Sequence, residues 1–165
     1  MTNYFISKDE SRLNVSVSGG LISEVTKNGR FNMALCLKRF KTHWEEMYSV
    51  KNDKFLENQC RMIFLTYLKP ILNGRGFYFL ESTLADDRRM DLVVIYNQEQ
   101  FVIELKTWKG TLYNEKGVGQ LLGYMDKRSV SEGYLLTFDF RKQPEMMDAH
   151  WRDEGNGRRV FEVRV

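Results

Sequence analysis

The sequence predicts an α/β fold, and three observations support this prediction. Two runs of β-branched and aromatic residues, 92–96 and 101–105, flank a short polar break, as in a β-hairpin. Segments with helical periodicity lie before and after this hairpin. A strand, a helix and a further strand then follow in order, which predicts a right-handed crossover and a parallel strand.

Length and composition are those of an ordinary globular protein. The chain has 165 residues, of which 42% are hydrophobic and 28% charged, enough for one domain with a core. A net charge of +3 permits nucleic-acid binding through a local patch but does not by itself argue for it. The two cysteines, Cys36 and Cys60, have apolar neighbours and are expected to be buried free thiols.

Targeting and nucleotide-binding signals are not evident. We find no signal peptide and no apolar run of membrane length, so a cytoplasmic protein without membrane contact is expected. No glycine-rich phosphate loop of the Walker type occurs. Residues 1–30 are polar and glycine-punctuated, and we interpret them as an N-terminal extension or linker remnant before a domain at 31–165.

The first predicted helix spans residues 31–48. One of its faces carries five large side chains at helical spacing: Met33, Leu37, Phe40, Trp44 and Met47.

A second helix is predicted from Lys54 to about Leu72, with Asp53 as its N-cap. Glu57 lies near its start and has two interpretations. It could form an i,i+4 ion pair with Arg61, which the spacing favours, or it could be a third carboxylate facing the hairpin.

A strand at 76–84 should precede the hairpin, whose charged residues are its most informative feature. Glu104 and Lys106 are two residues apart, so their side chains point to the same face. A turn of two or four residues, for example Asn97-Gln98, would place Asp91 on that face as well. A turn of three residues would place it on the other face. The predicted result is two carboxylates and one ammonium on one patch of a buried sheet.

A third helix is predicted at 113–130, followed by a strand at 133–140, a loop at 141–157 and a closing strand at 158–165. Lys116, Gln120 and Tyr124 form a row beside the apolar face of this helix. Three glycines lower the helix propensity and could allow close approach to the sheet, namely Gly117, Gly119 and Gly123.

The converging charges suit divalent-metal chemistry. Mg²⁺ prefers hard oxygen ligands, which Asp91, Glu104 and the carbonyl of Leu105 could supply. Lys106 could orient an attacking water or stabilise developing negative charge, and Gln120 could position water or a phosphate oxygen. A buried acid–lysine pair that only closes the sheet would produce the same pattern, so the residues alone leave both interpretations open.

The order of these elements resembles the PD-(D/E)xK nuclease superfamily. Four runs are similar to one of its branches, the C-terminal nuclease-like domain of bacterial AAA-ATPase-like proteins: FLENQCRMIFLTYLKPILNGRGF, RRMDLVVIYNQEQFVIELKTWKG, EKGVGQLLGYMD and GYLLTFDFRK. The resemblance covers roughly residues 20–165. It implies a restriction-endonuclease-like core, in which a mixed central β-sheet is flanked by helices.

The resemblance also implies roles for individual residues. Asp91 and Glu104 match the metal-binding acids, Lys106 matches the motif lysine, and Glu57 matches the acid on the first core helix. Gln120 matches the glutamine of the following helix. The implied activity is Mg²⁺- or Mn²⁺-dependent hydrolysis of phosphodiester bonds in nucleic acid, with DNA as the expected substrate. The alternative is a catalytically silent binding or regulatory module. The family's upstream ATPase half is not in this sequence, so the resemblance leaves two alternatives, an excised domain or a stand-alone protein that has lost its motor. An ATPase domain in cis or in trans is a candidate partner.

Overall fold

A six-stranded mixed sheet with helices on both faces forms the body of the protein. A computed structural model describes residues 20–48, 57–82 and 90–165, and it describes only the backbone of Glu57, Asn58, Ser82, Met90 and Asp91. The helices are α1 (Met33–Met47), α2 (Glu57–Leu72) and α3 (Thr111–Arg128). The strands are β1 (Thr26–Lys27), β2 (Arg30–Phe31), β3 (Gly76–Ser82), β4 (Met90–Tyr96), β5 (Glu99–Thr107), β6 (Glu132–Phe138), β7 (His150–Asp153) and β8 (Arg159–Arg164).

The order of strands in the large sheet is β3-β4-β5-β6-β8-β7. Strands β3, β4 and β5 form an antiparallel meander, and β6 and β8 then add in parallel. The predicted crossover through α3 and the predicted mixed α/β core are therefore confirmed. The loop predicted at 141–157 is wrong in one part, because β7 lies within it and pairs antiparallel with β8. This short edge strand has no buried residue and so lacks an apolar sequence signal.

Helices α1 and α2 cover one face of the sheet. Asn32 caps α1, because its side chain accepts a hydrogen bond from the amide of Leu35 at 2.9 Å. The predicted apolar face of α1 is buried as far as Trp44, whereas Met47 is 65% exposed. Periodicity identifies a face, but burial also needs an opposing surface, and Tyr48, four residues after Trp44, packs against the core in place of Met47. The N-cap predicted at Asp53 lies outside the described residues.

Helix α3 covers the opposite side, called here the α3 face. Its buried side chains pack against the apolar residues of four neighbouring strands: Val93, Val102, Leu135 and Val160. Gly133 in β6 is required by this contact, since a Cβ there would collide with the side chain of Met125. None of the helices in the described ranges is long and apolar enough to span a membrane.

Residues 20–31 also contact the core. A helical segment at 20–25 leads into the small β1–β2 hairpin, and Val25 is fully buried in the cluster beneath α1 and α2. The boundary predicted after residue 30 stays a prediction.

The hairpin turn that positions the functional face consists of Asn97 and Gln98. Tyr96 pairs with Glu99, and both turn residues have positive φ, 45° and 71°. These values are typical of a type I′ turn, which suits the right-handed twist of the strands. Asn97 is also held from outside, because its side-chain amide donates to the carbonyl of Gly29 at 2.8 Å. A two-residue turn was one of the predicted alternatives, and the structure selects it.

Replacing Gln98 with glycine should stabilise the protein. A non-glycine residue in the left-handed region costs about 1–2 kcal/mol, and Gln98 has a φ of 71°. We expect Gln98→Gly to raise the free energy of unfolding by about 1 kcal/mol in urea denaturation, because glycine relieves this strain. The control Asn73→Gly, in the loop after α2, should not raise it. A lower stability of Gln98→Gly would contradict this account of the turn.

Candidate functional site

Three acidic positions lie in one row across β3, β4 and β5. Leu92 pairs with Ile103, so the same register places the backbone of Asp91 opposite Glu104. On the other side, Asp91 pairs with Glu81. Directly opposed residues in antiparallel strands have Cβ atoms roughly 4.5–5.5 Å apart on the same face of the sheet. The register therefore brings these positions to one level of the α3 face.

Glu104 and Lys106 are both buried between β5 and α3. Their exposed fractions are 7% and 5%. Leu105, between them, points to the opposite face and joins the core beneath α1 and α2. A buried charge is costly unless other groups compensate it, so the immediate surroundings of both side chains are informative.

Helix α3 engages the ammonium group of Lys106. Nζ donates a hydrogen bond to the carbonyl of Tyr113 at 2.7 Å and lies 4.0 Å from the centroid of the Tyr113 ring. Gly117 makes room one turn later, because a Cβ there would collide with Nζ and would lie 2.9 Å from Cδ of Lys106. The close approach predicted for the three helix glycines holds only at Gly117. A Cβ at Gly119 or Gly123 would meet nothing within 4 Å.

Glu81 and α3 form a second polar contact beside this row, which the sequence interpretation missed. The carboxylate of Glu81 accepts hydrogen bonds from the hydroxyl of Tyr124 and from the guanidinium of Arg128. Arg128 in turn contacts Gln100 on β5, with Nη1 donating to Oε1 at 3.3 Å. The sequence contains one signal for this contact, a charged residue inside an apolar strand. The neighbours of Glu81 depend on the register between β3 and β4, and the segment linking these strands has no sequence feature that sets this register.

Gln120 lies between these two contacts on α3. It is half-buried and stands three residues after Gly117 and four before Tyr124, so helical geometry places it on the same side of the helix. The predicted positions Asp91, Glu104, Lys106 and Gln120 thus all belong to the region between the α3 face and α3.

Glu57 is placed differently. It is the first residue of α2, a helix whose buried side chains pack on the other face of the sheet. The last residue of α2, Leu72, lies beside the start of β3, where a Cβ on Gly76 would be 3.3 Å from its side chain, so α2 starts toward the opposite end of the sheet, where β5 ends. The structure therefore puts the backbone of Glu57 at the appropriate end of the sheet but across it from Glu104. The alternative ion pair with Arg61 lies outside the described side chains.

Among the side chains that the structure describes, no three His, Cys, Asp or Glu residues form a cluster that could hold a metal ion. The described side chains do not include those of Glu57 and Asp91, two of the three predicted ligands. The metal centre thus stays a prediction.

A buried polar network anchors the first turns of α3 to β8. The side-chain amide of Asn114 donates to Glu162 at 2.9 Å, and Arg152 donates to the other oxygen of Glu162 at 3.3 Å. Arg152 also binds both carboxylate oxygens of Glu115, which holds the pKa of Glu115 below its ordinary value. This network fixes where the start of α3 lies relative to the sheet.

The ends of the parallel strands carry a further group of residues, called here the Trp108 cluster: Trp108, Asp139, Arg141 and Arg164. The guanidinium groups of Arg164 and Arg141 lie 3.6 Å and 5.1 Å from the centroid of the Trp108 ring. Asp139 accepts bonds from the backbone amide, Nε and Nη2 of Arg141. Burial alone would raise the pKa of Asp139, but these bonds outweigh it and hold the pKa below its ordinary value.

Comparison with known families agrees with this geometry. Residues 76–148 match the family model of the PD-(D/E)XK nuclease superfamily. The matched region runs from β3 to the residues before β7 and includes Asp91, Glu104, Lys106 and Gln120, but it does not include Glu57. No curated protein and no solved structure matches the chain. The match and the mixed sheet together support the nuclease superfamily, and the narrower resemblance to ATPase-associated domains stays a prediction.

Two glycine substitutions on α3 should have opposite outcomes. Gly119→Ala adds a methyl group in open space and should raise the free energy of unfolding by up to about 1 kcal/mol through helix propensity. Gly117→Ala should lose this gain, because the new Cβ displaces the ammonium of Lys106. Urea denaturation of the two variants measures the difference. Equal stabilisation by both would show that Lys106 does not need the space at Gly117.

Asp139→Asn should destabilise the protein in a pH-dependent manner. Since the folded-state pKa of Asp139 is lowered, its stabilising contribution is complete above the unfolded pKa of about 4 and is lost as the pH falls through the folded pKa. We expect a loss of about 1–3 kcal/mol at pH 7 that shrinks below about pH 4. Urea denaturation at pH 7, 5 and 3 tests this, and a pH-independent loss would contradict it. The control Asp126→Asn, at a surface ion pair with Arg158, should change stability by less than about 1 kcal/mol.

Proposed function

We propose that this protein is a metal-dependent nuclease that hydrolyses phosphodiester bonds in nucleic acid, with DNA as its substrate. The observation that carries the proposal is the β4–β5 register, whose last pair is Leu92–Ile103 and which, continued by one residue, sets Asp91 against Glu104. Lys106 follows two residues later on the same face. The superfamily match over 76–148 supports the same reaction class.

The donor set fits a divalent cation. The β4–β5 ladder ends at the pair Leu92–Ile103, and one further step of the same register sets Asp91 against Glu104. Directly opposed positions in antiparallel strands are near enough for two carboxylates to bind one ion. Carboxylate oxygens are the hard ligands that Mg²⁺ and Mn²⁺ prefer. We assign Asp91 and Glu104 as ligands. Glu57 is the weaker candidate, because its helix packs across the sheet from Glu104.

A bound Mg²⁺ or Mn²⁺ would supply the charge that offsets the negative charge building on the phosphate in the transition state. The chain's own contribution begins with Lys106, which orients the attacking water or stabilises the same developing charge as a compact ammonium. Its bond to the carbonyl of Tyr113 holds the ammonium in place before the substrate arrives. Gln120, half-buried on the facing helix, positions the water or a phosphate oxygen.

A catalytically silent binding or regulatory module is the second candidate, and one observation favours it. The ammonium of Lys106 is buried and engaged by both the carbonyl and the ring of Tyr113. In that arrangement it serves as a structural link between β5 and α3 rather than as a group directed at substrate. Under either candidate function, we propose that an ATPase in cis or in trans is a partner.

Cleavage assays test the nuclease proposal. Purified protein with Mg²⁺ or Mn²⁺ should cleave DNA, and Asp91→Asn, Glu104→Gln and Lys106→Met should each reduce the rate by at least about 100-fold, because each removes a ligand or a charge used in the transition state. Circular dichroism would verify that the variants are folded. Single-stranded, duplex and branched DNA, together with RNA, should all be offered as substrates.

A matched control lies at the other end of the sheet. Glu132 is the first residue of β6 and forms an ion pair with Arg159. Glu132→Gln removes one strand carboxylate away from Asp91 and Glu104 and should retain cleavage to within a few-fold. If no substrate is cleaved and calorimetry detects no Mg²⁺ or Mn²⁺ binding, the silent module is the correct interpretation.

A further inference from the structure

The start of α3 is an uncapped helix N-terminus in a positively charged setting. Its N-cap is Gly110, with a φ of 106°, and among the residues that the structure describes no side chain caps the helix. The first turn contains no acidic residue. The first amides of a helix lack partners within it, and the helix dipole makes this end positive, so such an end favours anions.

Arg164 provides an independent observation at the same place. It is only 7% exposed, and within the described part of the chain its Nε is a buried atom without a hydrogen-bond partner. An unsatisfied buried donor on a charged group is costly, unless a ligand completes its bonding. The guanidinium carbon of Arg164 lies 3.6 Å from the centroid of the Trp108 ring.

The polar network shows that Arg164 lies beneath the helix start. Asn114 is bonded to Glu162 on β8, and Arg164 lies two residues further along that strand on the same face. Gly110 lies one helical turn before Asn114 and accepts its amide at 3.0 Å. Gly110, one turn before Asn114 on α3, and Arg164, two residues after Glu162 on β8, therefore lie at the same edge of the sheet.

Two other cations lie near this edge. Lys109 lies 5.2 Å from the centroid of the Tyr113 ring, and Arg141 lies beside Trp108. Asp139 is the acidic member of the Trp108 cluster, and Arg141 pairs with it. The charge of Arg164 also helps to lower the pKa of Asp139, so one carboxylate faces two guanidinium groups and the Trp108 cluster carries one positive charge in excess.

We propose that Arg164 and the N-terminus of α3 form a subsite for a phosphate group, in which Trp108 holds the guanidinium in place. Arg164 pairs with Thr137, which pairs with Lys106, so the subsite lies two strand spacings, roughly 10 Å, from the candidate catalytic lysine. This separation suits a second phosphate of the same nucleic-acid strand. The assignment to nucleic acid rests on the proposed function, whereas the binding of phosphate does not.

Thr111→Asp is the decisive variant. Residue 111 is exposed in the first turn of α3, and a carboxylate there stabilises the helix dipole while it repels a phosphate. The variant should therefore unfold at the same or a higher temperature than the wild type. It should nevertheless bind inorganic phosphate and a single-stranded oligonucleotide at least about tenfold more weakly, because like charges face each other. Gly123→Asp, in open space on the same helix, is the control of equal charge and should bind as the wild type does.

Arg164→Gln gives a second readout. Loss of one phosphate contact should weaken oligonucleotide binding and reduce the slope of log K against log salt by about 1. The matched control is Arg159→Gln. Arg159 also stacks on a tryptophan, 4.0 Å from the ring centroid of Trp151, but it lies at the other end of the sheet and is paired with Glu132. If Arg164→Gln only lowered the stability of the fold, the slope of log K against log salt would not change.

Binding is measured with EDTA present, so the test does not depend on cleavage. Weaker binding of both probes by Thr111→Asp, with the control unchanged, supports the subsite even if no nuclease activity is found. Unchanged binding of both probes overturns it even if the protein cleaves DNA. Loss of phosphate binding with unchanged oligonucleotide binding overturns the assignment to the nucleic-acid backbone.

Discussion

The register between β4 and β5 is the constraint on which the candidate site depends. Both faces of β4 are buried, with Leu92 and Val94 on one side and Val93 on the other. The burial of apolar side chains therefore does little to prevent β4 from slipping by one residue relative to β5. Such a slip would move Asp91 to the opposite face, while Glu104 and Lys106 stayed where they are. The turn at Asn97 and Gln98 prevents it, since its two residues adopt the positive φ values that a type I′ turn needs.

Helix α3 organises the charged side of the sheet. The face beneath α1 and α2 is packed with aromatic and aliphatic residues, whereas the α3 face carries acids and bases in its interior. Each described contact pairs such a group with α3 or with a neighbouring strand. Lys106 bonds to Tyr113, Glu162 to Asn114 and Glu81 to Tyr124. The same helix thus sets the position of the candidate lysine, the neighbouring acid row and the proposed phosphate subsite.

The residues that the sequence interpretation overlooked were missed for one common reason. Glu81, Asp139 and Arg164 are charged residues in or next to apolar strands, and each acquires its meaning from a partner distant in sequence. Glu81 contacts Arg128, and Arg164 stacks on Trp108. Charged residues within buried strands were a usable signal, but the signal does not indicate which strand or helix supplies the partner.

The sequence by itself determined the types of the elements, the hairpin around the polar break, the parallel crossover through α3 and the shared face of Glu104 and Lys106. These features follow from side-chain periodicity, which is a local property of the chain. Only the tertiary structure decided that the turn has two residues, that Glu81 joins the acid row and that α2 packs across the sheet from Glu104. It also decided that Gly117, and not Gly119 or Gly123, accommodates Lys106. These features depend on register, strand order and packing between distant segments, which local periodicity does not specify.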